Sequence, residues 1–132
     1  MTHASSTLEP ESQLPLTPAT FHILLALAGQ DRHGYSIMRE VEAYTNGGLH
    51  LGATTLYRSI KQMLAAHLIE EAEERPDPQL DDERRRYYRL TAFGRQVLRA
   101  ETRRLARLVA LAGEKGIIES AELPGISFGS AS

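Results

Sequence analysis

The first third of the chain shows two short helical patterns of apolar residues. Thr17-Pro18 suits a helix start, because threonine can cap a helix and proline fits the first helical position. The segment 21–28 that follows is apolar at nearly every position, which predicts a buried helix that ends at Gly29. A second helix is predicted from Tyr35 to Tyr44, and the turn-forming residues 46–48 stop it.

A third helix is predicted from Ala53 to Leu68, where apolar and polar positions separate onto opposite faces. The apolar face consists of Leu56, Ile60, Met63 and His67. The opposite face has short side chains at its start and basic ones in its middle, namely Thr54, Arg58, Lys61, Gln62 and Ala65. Such a face suits a helix whose N-terminal half lies in a groove of DNA.

Two strand-like segments follow, at residues 69–75 and 84–90, with Pro76-Asp77-Pro78 between them. The run RRRYYRL has the aromatic content of a strand, and we predict a hairpin with a long polar tip. A hairpin centred near residue 79 or 80 places three acids opposite three arginines: Glu74 and Arg85, Glu73 and Arg86, Glu70 and Arg89.

The last predicted helix runs from about Thr91 to Ala112 and carries a heptad-like apolar seam, which Glu101 interrupts. Nothing else in a domain of this size is left to cover that seam, so it predicts a second copy of the chain. The residues predicted at the dimer interface are Val97, Leu98, Leu105, Leu108, Leu111 and Ala112. On another side of the helix, Arg95, Arg99 and Arg103 are expected to be solvated or paired with the partner subunit.

This order of elements predicts a mainly α fold with a two-stranded β wing, that is, a winged helix-turn-helix plus a C-terminal dimerisation helix. The predicted division is a flexible N-terminal arm at 1–15, the winged helix-turn-helix at 16–90, the dimerisation helix at 91–112 and a loose tail at 113–132.

The net charge of −2 argues mildly against a nucleic-acid partner, but the charges are not evenly spread. Residues 84–107 contain nine Arg and one Glu, or 9 − 1 = +8, whereas residues 70–83 contain eight acids and one Arg, or 1 − 8 = −7. Because a surface field depends on where charge lies, a basic surface is compatible with the acidic total.

Several classes of function are disfavoured by what the chain lacks. It has no Cys, which excludes disulfides, thiolate metal sites and a cysteine nucleophile. It has no glycine-rich phosphate loop and no metal-binding His spacing, so we expect no enzyme, no cofactor and no metal. We see no secretion signal, and the longest apolar stretch is too short to span a bilayer, so a cytoplasmic protein without a membrane partner is expected.

Three stretches resemble the PadR family of bacterial transcriptional regulators: HGYSIMREVE, TTLYRSIKQM and RRRYYRLTAFGRQVL. The resemblance covers about residues 16–111, and its short C-terminal part is similar to the smaller subgroup of the family. It implies a homodimer whose wings and third helices face DNA while the fourth helices pack together. Many members of the family repress genes for detoxification, drug export or phenolic acid metabolism, and some bind flat aromatic ligands near the dimer interface.

The chain departs from the family pattern at two places. Gly52 and Thr54 stand where the family usually has Ser and Gly, so we expect the third helix to start without a side-chain cap and Thr54 to offer its hydroxyl to DNA. His67 stands where the family often has Gly, which predicts a left-handed backbone conformation at that histidine.

The predicted DNA-binding residues are Tyr35, Ser36, Thr54, Thr55, Tyr57, Arg58, Lys61, Arg84 and Arg85. All but Ser36 have an alternative interpretation that the sequence leaves open, which for Thr54, Thr55, Arg58 and Lys61 is a solvated helix face. Tyr57 either donates to a phosphate or supports the second helix, Tyr35 either packs in the core or touches phosphate, and the wing arginines either reach DNA or pair with the acids opposite.

The sequence therefore predicts a double-stranded-DNA-binding transcriptional regulator, a homodimeric repressor on a pseudo-palindromic operator with a possible small aromatic effector. One alternative is a winged helix that binds another protein, which the acidic first wing strand favours. A third interpretation is a protein that mainly senses a small molecule.

Overall fold

The computed structural model describes residues 9–76 and 84–123 of the 132-residue chain. Its helices and strands are α1 (Pro18–Gly29), β1 (Arg32–His33), α2 (Gly34–Tyr44), α3 (Ala53–Ala65), β2 (Ile69–Pro76), β3 (Arg84–Leu90) and α4 (Ala92–Glu114). Two short 3-10 helices flank them, an N-terminal one at Pro10–Gln13 and a C-terminal one at Ser120–Glu122.

The fold is the predicted one, mainly helical with a β wing, but the sheet has three strands. The strand order is β1-β3-β2, and both pairs are antiparallel. The third strand is Arg32–His33, which pairs with Tyr87 and Tyr88 of β3. Two residues are too few to show an alternating pattern, so the sequence predicted only two strands.

The predicted wing register is correct next to the core and wrong farther out. Glu70 lies opposite Arg89, as predicted, but β2 carries one extra residue between Ala72 and Arg75. Beyond this irregularity Arg85 lies opposite Arg75 and not opposite Glu74. An extra residue in one strand shifts every later pair by one, and charge pairing alone does not reveal where it is inserted.

The core lies between α1, α2, α3 and the sheet. Its fully buried side chains include Ile23, Ile37, Leu56 and, from the first turns of α4, Val97. This core anchors the base of α4 to the winged helix.

Local signals fix several helix ends. Thr17 accepts a hydrogen bond from the Thr20 N–H and caps α1. As predicted, Gly52 begins α3 without a side-chain cap, and His67 has a positive φ of 63°.

The N-terminal segment differs from the flexible arm predicted for residues 1–15, of which residues 9–15 are described. Here the N-terminal 3-10 helix lies against α4, and Leu14 packs on the core. The carboxylate of Glu101, only 2% exposed, accepts hydrogen bonds from the Leu16 N–H (3.0 Å) and from Arg104. A buried carboxylate needs such donors, and here they join the N-terminal segment to α4.

No helix of the described ranges is long and apolar enough to cross a membrane. Within the same ranges, no group of three or more His, Asp or Glu side chains is placed to hold a metal ion.

Candidate nucleic-acid interface

The polar face of α3 is a single exposed surface. Its buried side includes Leu56, Ile60 and Met63, as the pattern predicted, but the placement of His67 on this side was wrong, because α3 ends at Ala65 and His67 is exposed beyond it. Five predicted DNA-binding residues lie on this helix, and all five are exposed; besides Tyr57 they are Thr54, Thr55, Arg58 and Lys61. The structure therefore brings them together, with two hydroxyls at the helix start and two cations farther along. We call these four residues the α3 face.

Tyr57 joins the α3 face to the first turn of α2. A Cβ atom added to Gly34 would collide with the Tyr57 Oη and lie 2.8 Å from its Cζ. Glycine at position 34 thus lets the Tyr57 ring lie directly on α2, while about half of the side chain remains exposed. Support of α2 is therefore visible in the structure, and the hydroxyl stays close to the helix N-terminus, where anions bind favourably.

Tyr35 does not pack in the core. About half of its side chain is exposed, and the Arg39 guanidinium carbon lies 5.7 Å from the centre of its ring. The packing alternative for Tyr35 is therefore wrong, and the residue presents an aromatic surface beside the first turn of α2.

The backbone N–H and the hydroxyl oxygen of Ser36 already form hydrogen bonds within the chain. Its backbone N–H donates to Nδ1 of His33 (3.2 Å), which caps α2. Its Oγ accepts from the Arg32 guanidinium (3.0 Å). The hydroxyl hydrogen of Ser36 remains as a donor, so a phosphate contact at Ser36 would use the hydroxyl and not the backbone N–H.

Arg32 is a residue that sequence reasoning missed. Besides Ser36, it donates from Nε to the carbonyl of Ala26 (2.9 Å) and lies 3.4 Å from the Glu40 carboxylate. It thereby ties the end of α1 to the first turns of α2. A single arginine in a polar turn gives no sequence signal for this role.

The wing arginines are only partly described. The side chains of Arg84 and Arg85 lie outside the described residues, and their DNA contacts stay predictions. Arg86 forms an ion pair with Glu71 (3.5 Å), and not with Glu73 as the predicted register implied. Arg89 donates to Glu70 (2.8 Å), and this hydrogen bond raises the pKa of the Arg89 guanidinium. These two pairs lower the net positive charge of the wing beside the core.

The predicted dimer residues on α4 divide into two groups. Val97 and Leu98 are buried in the core of their own chain, which leaves them almost no surface for a partner. Leu108 and Leu111 remain 51% and 45% exposed, and Leu105 and Ala112 are partly exposed. The seam therefore serves two purposes, since its first turns close the core and only its later turns present an apolar surface.

A profile described as "Transcriptional regulator PadR-like family" matches residues 23–100 of this chain. No match to this chain was found among curated protein sequences.

Three solved structures show the same fold. A transcriptional regulator from Clostridium thermocellum is 23% identical, over 74% of this chain and 90% of that one, with a TM-score of 0.59. A PadR family transcription regulator from Clostridium difficile R20291 is 22% identical, over 77% of this chain and 100% of that one, with a TM-score of 0.60. A PadR-like transcription factor from Bacteroides fragilis is 22% identical, over 75% and 93%, with a TM-score of 0.56.

Proposed function

The chain belongs to the PadR-like family of transcriptional regulators, and from this premise we propose that it is a repressor that binds a pseudo-palindromic operator as a homodimer. The family consists of DNA-binding regulators of transcription and not of enzymes, so DNA binding and regulation are its general function. Repression, the dimer, the operator and release by a ligand are the steps proposed for this chain.

The observation that carries the proposal is the α3 face beside the first turn of α2. Threonine hydroxyls at the start of a helix and an arginine in its next turn match base edges and phosphates in a major groove. The Tyr57 and Ser36 hydroxyls lie beside this surface and match the phosphate backbone. In this proposal Arg58 reads a base and Lys61 contacts a phosphate.

The exposed leucines of α4 support the homodimer. Two copies that pack through Leu108 and Leu111 would present two α3 faces, and a dimer of this kind reads half-sites about 34–36 Å apart. Such a dimer would cover a promoter and exclude polymerase. A small ligand that changes the angle between the two copies would change that spacing and release the operator, and the protein would act in the cytoplasm, where the promoter is.

The test is a fluorescence-anisotropy titration of the full chain against the promoter of its own gene and a random duplex, at two salt concentrations. Arg58→Ala is expected to weaken specific binding roughly 5- to 150-fold, the value of one good base contact. Lys61→Ala is expected to weaken binding to both duplexes and to lower the slope of log affinity against log salt concentration by about one. Lys115→Ala, an exposed lysine beyond α4, is the matched control and should change neither.

If neither duplex binds at low salt, the DNA interface assigned to α3 is wrong, and the protein-binding winged helix becomes the better interpretation. If Lys115→Ala weakens binding as much as Lys61→Ala does, the effect belongs to total charge and not to the α3 face.

A further inference from the structure

A groove of about 500 Å³ lies between the N-terminal 3-10 helix and α4. Four arginines of α4 line it, Arg99, Arg103, Arg104 and Arg107, and Glu11 faces them from the 3-10 helix. No part of the α3 face contributes to this groove. It is a separate concave surface, which the proposed DNA contacts do not use.

The groove carries positive charge that the chain does not neutralise. Arg104 forms an ion pair with Glu101, and the charges of these two side chains cancel. Arg99, Arg103 and Arg107 are exposed and form no ion pair with the side chains of residues 9–73 and 86–123. Three arginines against Glu11 leave 3 − 1 = +2 in the groove.

The spacing of these arginines concentrates that charge. They are four residues apart, so they lie on one side of α4 at steps of roughly 6 Å. Like charges at this spacing repel and destabilise a helix. A bound anion would relieve the repulsion, which the described side chains leave in place.

Part of the lining of the groove is apolar. Leu14 and Pro10 contribute from the N-terminal segment and Ala100 from α4. The hydrogen bond from the Leu16 N–H to Glu101 joins the end of this segment to α4. The groove therefore offers a small apolar contact next to a row of guanidinium groups.

We propose that this groove binds an organic phosphate monoester, a small molecule with an apolar body and one terminal phosphate. A phosphate monoester carries about −1.5 to −2 charges at pH 7 and presents three strong acceptor oxygens, which matches the charge of +2 and the donor forks of three arginines. A singly charged carboxylate or sulfonate would leave one arginine uncompensated. The apolar body would lie on Leu14.

Binding of the phosphate monoester at this groove does not depend on repression. The further idea that this binding releases DNA rests on the proposed function. The N-terminal segment packs against α4, and the exposed leucines lie on that same helix. A ligand that draws the segment and the arginines together would act on the helix that carries the proposed dimer contact.

Isothermal titration calorimetry with a graded series of probes tests the binding. The probes share one ring system and differ in charge, namely 1-naphthyl phosphate, 1-naphthalenesulfonate and 1-naphthol, and inorganic phosphate supplies the anion without the ring. We expect 1-naphthyl phosphate to bind most tightly, at least about tenfold more tightly than each of the other three.

Arg99→Gln/Arg103→Gln should weaken binding of 1-naphthyl phosphate at least about tenfold. Arg95→Gln is the matched control, because Arg95 is exposed on the same helix but does not line the groove, and it should bind like the wild type. A circular dichroism melting temperature no lower than that of the wild type would show that the double variant is folded.

Equal affinities for 1-naphthyl phosphate and inorganic phosphate would overturn the apolar part of the proposal. Equal affinities for 1-naphthyl phosphate and 1-naphthol, or equal losses of affinity in the Arg95 and double variants, would overturn the arginine site.

The double variant is also titrated with operator DNA in the absence of a probe. A loss as large as that of Lys61→Ala would mean that the arginines contact DNA, which overturns the proposal. Because the calorimetry uses no DNA, failure of the repressor proposal would not be confused with failure of the groove.

Discussion

Truncation of Leu108 and Leu111 to alanine should separate the proposed dimer while the winged helix stays folded. Both side chains project from the later turns of α4 and are about half exposed in the single chain. Alanine is the best helix former, so the double variant removes apolar surface without weakening α4. The two substitutions therefore act on the association of two chains more than on the fold of one.

The expected loss follows from the exposed fractions. Full burial of a leucine side chain contributes about 1.5–3 kcal/mol. With 51% and 45% exposed, each side chain has about half of this gain left, or roughly 1 kcal/mol. A symmetric dimer covers four such side chains, worth roughly 4 kcal/mol, of which alanine retains about a quarter. A loss of about 3 kcal/mol corresponds to a dimer dissociation constant raised roughly 100-fold.

Sedimentation velocity over a dilution series measures this constant for the wild type and the double variant. Leu25→Ala is the matched control, since Leu25 is 39% exposed and lies on α1 and not on α4. It should leave the dissociation constant within about twofold.

The reasoning fails if the double variant dimerises as tightly as the wild type, or if Leu25→Ala weakens the dimer to the same degree. Either result would mean that another surface joins the two copies. If the wild type stays monomeric at every concentration, the homodimer proposal itself is wrong.

Two further predictions concern stability. A Cβ at Gly94 would collide with the Leu68 carbonyl oxygen, a backbone atom that cannot turn aside, so Gly94→Ala should lower the free energy of unfolding by about 3 kcal/mol in urea titrations. A Cβ at Gly29 meets nothing within 4 Å, so the control Gly29→Ala should lower the same free energy by less than about 0.5 kcal/mol. Equal losses in the two variants would contradict the collision. The Arg104 hydrogen bond holds the pKa of Glu101 below its ordinary value of 4.5, so its stabilising contribution is present above that pH and is lost as pH falls through the lower, folded-state pKa. Glu101→Gln should therefore be less stable than the wild type at pH 7, with a gap that narrows below pH 4.5; a gap independent of pH would show that the carboxylate charge does not matter.

Much of the fold was predictable because it depends on neighbouring residues. The amphipathic pattern of 53–65 fixes which side of α3 is buried, and hence that Thr54, Arg58 and Lys61 share an exposed face. The left-handed residue at His67 and the uncapped start at Gly52 also came from local pattern and resemblance. Such features need contacts only within a few residues of chain.

Where distant segments of the chain meet, the candidate interface could be described only from the tertiary structure. The seam on α4 is continuous in sequence, but the winged-helix core covers Val97 and Leu98 and leaves Leu108 and Leu111 exposed. Periodicity shows that a face is apolar, yet it does not say whether the same chain or another copy covers it. The role of Arg32 was hidden for the same reason, because its partners lie on two different helices.

By itself, the amino-acid sequence determined the order of the helices, the wing and the polar face of α3, since periodicity and capping act over one or two turns. The third strand, the extra residue in β2 and the burial of Glu101 against the Leu16 N–H, 85 residues away, were decided only in three dimensions. A carboxylate in an apolar seam looks like an interruption of it until the folded chain supplies donors from its other end. Burial and hydrogen bonding depend on which segments the fold brings together, and no local pattern records that.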